Sequence, residues 1–471
     1  MNDGHRERQL AKNTFILSLG MLSSKIFTFL LLPIYTTVLA AEDYGNVDVL
    51  QSIIYLAMPL VTLQIQEGVF RFLIDRENIL DRSSVISTSF FFISINIIIF
   101  VILSIIYNKL IGLPYYYAFI MAFVASSYAI YLQYIVRGLG HNVVYSISSF
   151  LIVFVSLITN IILIVGMGFK GDSILIAIAA SNLAAVIYIT FKEQVWRYIK
   201  ITSISGVMRK TLVQYCIPLV PNSISWWVVN TSDRLLIVLY LGSAANGIYA
   251  AANKIPTIYT TIYNIFNLAW AEAVSRAAND DDCEYFISHM LTRSYKFFGC
   301  ICLGITCILS LTFKFIIGSE YVMAYGQIYI LMLAIYINSI CSMYGGIFTG
   351  FKKPKIIGST TVAGAIVNIL VNVTLIKFIG LYAASISTLV SYIIIMIIRA
   401  QNVKKIINLK WPTKFFIRMA IAFSIVSFGY FYRNNMVNII ILCSLFVWSI
   451  IENKKIFISL IQAVSSKFFK K

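Results

Sequence analysis

Apolar residues fall in long unbroken runs rather than in alternation, and each run is about the 20 residues that a helix needs to cross the hydrocarbon core of a bilayer. Cutting the chain where charges, Gly-Pro or Asn clusters interrupt the runs predicts fourteen transmembrane helices. They cover roughly 13–40, 46–72, 84–107, 115–136, 143–167, 173–191, 212–241, 246–272, 288–313, 322–350, 356–376, 380–398, 415–432 and 436–451. The first run exceeds the apolar stretch of a signal peptide and carries Lys25 in its middle, which predicts a retained helix rather than a cleaved leader. The longest loops, 192–211 and 273–287, are too short for a soluble domain. The fold class predicted is all-α integral membrane, with the work of the protein done by its helices.

Polar positions inside the runs follow helical spacing. In the eighth span Asn253, Thr257, Thr260, Asn264 and Asn267 form one seam, with Lys254 and Thr261 beside it. In the second, Asp48, Ser52, Tyr55, Pro59, Thr62 and Gln66 do the same. The first offers Ser18, Lys25, Thr28 and Thr36, and the seventh offers Asn222, Ser225, Asp233 and Arg234. Spans three to six and nine to twelve carry Ser, Thr and Asn but almost no charge. Pro33, Pro59, Pro218, Pro221 and Pro256 all lie in spans 1, 2, 7 and 8, where a missing hydrogen bond bends a helix.

Those four spans are equivalent in pairs under an internal repeat. Leu39-Ala-Ala-Glu-Asp-Tyr-Gly45 matches Leu241-Gly-Ser-Ala-Ala-Asn-Gly247 at an offset of 202, and Gly138, Asn160 and Gly168 match Gly350, Asn372 and Gly380 at 212. A duplicated six-helix unit repeats in parallel, because six crossings return the chain to its starting side. The predicted organisation is an N-terminal lobe over 1–200, a C-terminal lobe over 201–400, and two further helices with a basic tail over 401–471. Transporters built in this way hold substrate between the halves, and a central cavity lined by spans 1, 2, 7 and 8 is expected.

Composition narrows the class. With 59% of its 471 residues from AVILMFWYC and 12% charged, the chain is far too apolar to be soluble. Its net charge of +18 would suggest nucleic acid in a soluble protein. Placed along alternating loops, however, 29 of the 37 Lys and Arg residues fall at one face and five at the other. Arg399 is counted with the 29. By the positive-inside bias both termini are cytoplasmic, and the charge needs no nucleic acid. The seven cysteines form no CxxC pair and read as small buried hydrophobes.

Three cations remain within the spans: Lys25, Arg234 and Lys254. Ionisable groups at that depth cost about 3 kcal/mol if they face lipid, so they face a cavity or a partner. A cavity with those three favours an anion, above all a phosphate. Lys25 has no acidic neighbour in its own helix and is the foremost candidate, while Asp233 has the alternative of bridging Lys254 or Arg234. Asn222, Asn253 and Asn264 are candidate substrate contacts. Asp48, Glu67, Arg71 and Asp233 are candidates for coupling or gating, Glu67 and Arg71 being one helical turn apart. Asp280-Asp281-Asp282 reads as a solvated run, and His5, His141 and His289 lack ligand spacing, so no metal or catalytic constellation is expected.

The run ending at Gly45, the Pro218 to Pro221 stretch followed by Asp233-Arg234, and Gly247-Ile-Tyr-Ala-Ala-Ala-Asn-Lys254 together resemble Wzx-type polysaccharide flippases, of the superfamily that includes lipid II flippases and MATE exporters. The resemblance covers essentially the whole chain. It implies a pair of lobes that carries an undecaprenyl-diphosphate-linked oligosaccharide from the cytoplasmic to the periplasmic leaflet of the bacterial inner membrane, as in O-antigen and lipopolysaccharide assembly. It places Lys25, Arg234 and Lys254 at the diphosphate and a lipid-tail groove on 415–451. The partners implied are the lipid-linked oligosaccharide, membrane lipid and other polysaccharide-assembly proteins, with no nucleic acid and no cofactor beyond Na+ or H+ coupling. A MATE-like drug exporter calls for a mainly anionic cavity and ranks second. A membrane-embedded glycan polymerase or glycosyltransferase ranks third, for want of a large loop or an acidic metal site.

Overall fold

The computed structural model describes residues 31–74, 79–278, 280–409 and 413–454, and these are helical with no strand. Residues 31–38 are helical; Lys25 and most of the first predicted span lie outside the described residues. Then follow α1 (Ala41–Thr62), α2 (Ile65–Ile74), α3 (Ile79–Ile111), α4 (Tyr116–Gly138), α5 (Asn142–Asn160, prolonged by a π-helical turn, Ile161–Gly166), α6 (Asp172–Glu193), α7 (Gly206–Cys216) and α8 (Leu219–Leu241). After these come α9 (Ser243–Ala277), α10 (Cys283–Ile316), α11 (Ala324–Gly350), α12 (Pro354–Ile379), α13 (Tyr382–Lys404), α14 (Thr413–Tyr432) and α15 (Asn435–Glu452).

Ten described helices are long and apolar enough to cross a membrane, or eleven if α1 and α2 count as one bent span. Helices α8 and α9 have the length but carry the polar seams. The lipid-facing surface is plain on α3, where Ile95, Ile98, Ile102 and Leu110 stand exposed. A patch of that kind is unfavourable in water and neutral against acyl chains.

The helices form two compact units, residues 1–250 and 251–471. In the first, α6 packs along both α4 and α5, and α1 packs against α8. In the second, α13 packs along α11 and α12, and α15 lies against α10. The internal repeat holds at the level of backbone. Gly168 and Gly380 both take positive φ, +68° and +57°, where an L side chain would be strained. Asn160 and Asn372 are both buried. Gly138 ends α4 against Leu73, and Gly350 ends α11 against Val274, so the same helix end meets the same kind of neighbour in each unit.

The second predicted span is not continuous. It breaks at Leu63 and Gln64, both at positive φ, and α2 leaves α1 at 57°. The bend falls four residues beyond Pro59, the residue that the sequence pointed to. Pro59 only deprives the Tyr55 carbonyl of its partner, whereas two successive left-handed residues end the helix. Backbone freed at the break is bonded again: the Asn96 amide donates to the Val61 carbonyl at 3.0 Å and the Gln64 N–H to Thr62 Oγ1 at 3.3 Å. The seventh predicted span likewise divides at Ile217-Pro218 into α7 and α8.

Arg399, which the sequence counts among the inner-face charges, is buried between helices. Its guanidinium donates to Thr360 Oγ1 at 2.9 Å, Thr361 Oγ1 at 3.1 Å and the Cys341 carbonyl at 2.7 Å, with a longer bond of 3.4 Å to the Ile357 carbonyl. Five N–H groups in a rigid fork let one side chain tie α11, α12 and α13 together. A position near a helix end says nothing of this, because the burial is tertiary.

Candidate functional site

Helix α1 begins beside the start of α9, and two glycines make the approach possible. A Cβ on Gly45 would lie 1.7 Å from the Ser243 carbonyl oxygen, and one on Gly247 would lie 1.9 Å from that of Ala41. The close backbones seat Asn246, fully buried, so that its amide donates to the Gly45 carbonyl at 2.9 Å and to Asp48 Oδ2 at 3.3 Å. From α8, Arg234 Nε donates to the same Asp48 oxygen at 2.5 Å. The Trp227 indole fixes α8 against α1 by donating to the Ser52 carbonyl at 2.8 Å. Next to Arg234, Asp233 accepts from the Tyr249 hydroxyl at 3.1 Å.

Arg234 joins Asp48, 186 residues away, a pairing not among those weighed on sequence. The ion pair is mostly enclosed, with 20% of the arginine side chain and 8% of the aspartate side chain exposed. Only the lateral Nε meets the carboxylate. From the terminal fork, Nη1 makes a long bond of 3.5 Å to the Asn230 carbonyl. A planar fork of that kind suits an oxyanion, and Asp48 competes with any such ligand for the same charge.

The remaining candidates are dispersed. Asn222 is exposed at the start of α8. Asn253 and Lys254 are half-buried on the part of α9 that belongs to the second unit, and Asn264 is exposed further along it. The hydroxyls of Thr257, Thr260 and Thr261 bond back to carbonyls of their own helix. On α2, Glu67 accepts from the Tyr134 hydroxyl at 2.9 Å, and Arg71 is exposed. Nearby, Arg137 lies 4.8 Å from the ring centre of Phe70, and His141 Nδ1 meets Glu193 at 2.6 Å. Among the described residues no three His, Cys, Asp or Glu side chains gather as a metal site. In the second unit one face of α14 is apolar and exposed, carrying Ile417, Ile421, Ile425 and Phe428 with Ala420 and Ser424 beside them.

The contributions of Asn246, Tyr249 and Trp227 are not anticipated by the polar seams. The repeated motif ending at Gly247 contained the one usable signal, since it marks the turn that seats Asn246.

Residues 10–277, more than half of the chain, match the model of a family described as polysaccharide biosynthesis protein. The chain belongs to that family. No curated protein sequence matches it. Among solved structures it is similar to the lipid II flippase MurJ in an inward closed conformation, at 16% identity and a TM-score of 0.68, covering 95% of this chain and 100% of that one. It is also similar to an inward-facing multidrug resistance MATE family transporter of the MOP superfamily, at 11% identity and a TM-score of 0.63, covering 83% of this chain and 98% of the other. An outward-facing MATE transporter of that superfamily matches at 13% identity and a TM-score of 0.54, over 84% and 96%. At these identities the likeness is one of fold, shared by the polysaccharide biosynthesis protein family member and both kinds of transporter.

Proposed function

We propose that this polysaccharide biosynthesis family member is a flippase that moves undecaprenyl-diphosphate-linked oligosaccharide repeat units from the cytoplasmic to the periplasmic leaflet of the bacterial inner membrane. It is a transporter rather than an enzyme and works by alternating access. Arg234 carries the reading. Its Nε is held by Asp48 while its terminal fork makes a long bond to the Asn230 carbonyl, a disposition suited to a diphosphate oxygen. Lys25 and Lys254 supply further positive charge, Asn222, Asn253 and Asn264 polar contacts, and the apolar face of α14 a bed for the lipid tail. Coupling to H+ or Na+ follows from the competition at Arg234. A substrate phosphate that takes the guanidinium releases Asp48, which then binds a cation, and the exchange reverses on the other side; Asp233, Glu67 and Arg71 complete the gating set.

A cation-coupled drug exporter is the second reading, favoured by the two buried carboxylates Asp48 and Asp233 in the first unit. Reconstitution decides between them. Proteoliposomes with a fluorescent lipid-linked oligosaccharide, with and without an imposed proton or sodium gradient, are expected to show leaflet exchange that Arg234→Ala abolishes. Drug efflux without lipid exchange would select the exporter.

A further inference from the structure

Beside the ion pair, inside the first unit, lies a partly open cavity of about 360 Å³ lined by Leu31 and by residues of helices α1, α4, α5 and α6. Among the described residues that line it, none carries a charge. Its apolar wall comes from Leu31, Met58 and isoleucines, and its polar groups are Gln51, Tyr55, Ser126, Ser156 and Asn182, with Ser181 turned back onto its own helix. The polar groups are unspent. Among the described residues the Gln51 amide, the Tyr55 hydroxyl and the Ser126 hydroxyl make no hydrogen bond, although Ser126 is only 7% exposed. Asn182 spends one amide hydrogen on the Ile178 carbonyl at 2.8 Å, which leaves its oxygen free, and Ser156 receives only a long bond of 3.4 Å from Asn160.

Ser126 is buried, Gln51, Ser156 and Asn182 are half-buried and Tyr55 is exposed, so these groups stand open to whatever enters the cavity, and their donors and acceptors describe the ligand. The volume is within the range of small-molecule pockets, about 300–1,000 Å³, and would otherwise hold on the order of ten waters. The absence of charge in the lining argues against a phosphate. Amides and hydroxyls offer donors and acceptors together, the combination that alcohol groups need, while the Tyr55 ring and the aliphatic wall meet C–H faces. Tyr55 also connects the two places, since it is within electrostatic reach of both Asp48 and Arg234.

We propose that this cavity is a sugar subsite, which takes one hexose-sized residue of the glycan while Arg234 holds the diphosphate. Gln51 and Asn182 read the hydroxyl pattern, and Ser126 and Ser156 fill in around them. The inference rests on the flippase reading, which it deepens by giving the chain a means of selecting its glycan.

The test uses the full chain in lipid nanodiscs and two probes. One is the water-soluble oligosaccharide released by mild acid from the producing strain's own lipid-linked repeats; the other is the carrier lipid diphosphate without sugar. Gln51→Met and Asn182→Leu keep side-chain volume, and each is expected to weaken oligosaccharide binding about tenfold, the loss of one or two neutral hydrogen bonds. Their affinity for the carrier diphosphate should stay within about twofold of the unaltered protein. Ser126→Cys in a Cys443→Ser background gives a second readout, in which free oligosaccharide slows maleimide labelling of the new thiol. Equal weakening for both probes, or no weakening and no protection, overturns the subsite. Oligosaccharide binding that the variants abolish, in a protein that exchanges no lipid-linked glycan, sustains the subsite and rejects the flippase.

Discussion

Gly45 and Gly247, equivalent residues of the internal repeat, lie against each other: a Cβ built on Gly45 falls 2.7 Å from the Gly247 nitrogen, and one built on Gly247 falls 3.1 Å from the Gly45 nitrogen. The reciprocity is that of an isologous contact within one chain. The sequence match and the contact thus have one cause: a helix start that must touch its own repeat keeps a residue without a side chain in both copies.

Gly45→Ala or Gly247→Ala should therefore be costly. The obstructing atoms are backbone oxygens at 1.7 and 1.9 Å, which cannot rotate away, so each change is expected to destabilise by about 3 kcal/mol or more, the upper end for overpacking. Thermal unfolding in detergent measures it. The double variant should cost less than the sum, because helices already forced apart meet no second clash.

Asp48→Asn leaves a largely enclosed guanidinium without its carboxylate. Breaking a buried pair costs about 3–5 kcal/mol, and the 20% exposure of Arg234 puts this one toward the lower figure. Combining Asp48→Asn with Arg234→Gln should recover most of the stability and none of the transport. Recovery of both, in the proteoliposome exchange assay, would make the pair purely structural.

The break between α1 and α2 predicts opposite outcomes for two small changes at Leu63. Leu63→Gly relieves a left-handed strain of about 1–2 kcal/mol and should leave the melting temperature level or higher. Leu63→Ile puts a β-branch at φ +49° and should lower it. Identical effects from the two would mean that the side chain, rather than the backbone, decides the bend.

Arg399→Lys replaces a planar fork by a point charge. With three hydrogen bonds of 3.1 Å or less at stake, across two neighbouring helices, the loss is expected to be about 3 kcal/mol or more, where an exposed loop arginine would change by no more than about 0.5 kcal/mol. Unfolding midpoints of the purified variant separate the two.

The helices were legible in the sequence because apolar length is a local property, and Asp48 and Arg234 stood out because charge within an apolar run is conspicuous. Their pairing was not. Residues 186 apart meet only once α1 and α8 are packed, and a neighbour in sequence, Asp233, points to a different partner. The burial of Arg399 was hidden for the same reason, since its three nearest acceptors sit on α11 and α12. The polar lining of the cavity was the least visible part: Ser126 and Asn182 are single neutral residues on otherwise apolar spans, with no periodicity to announce them.

The length of α1 gives the bend at Leu63 and Gln64 a further meaning. Its 22 residues rise about 33 Å, already the thickness of the hydrocarbon core, about 30 Å. Turned by 57°, the ten residues of α2 gain only about half of their 15 Å length along the direction of α1. Joined to α1 through two left-handed residues, α2 is a lever arm: a modest rotation of α1 about its own axis displaces the far end of α2, and Arg71 with it.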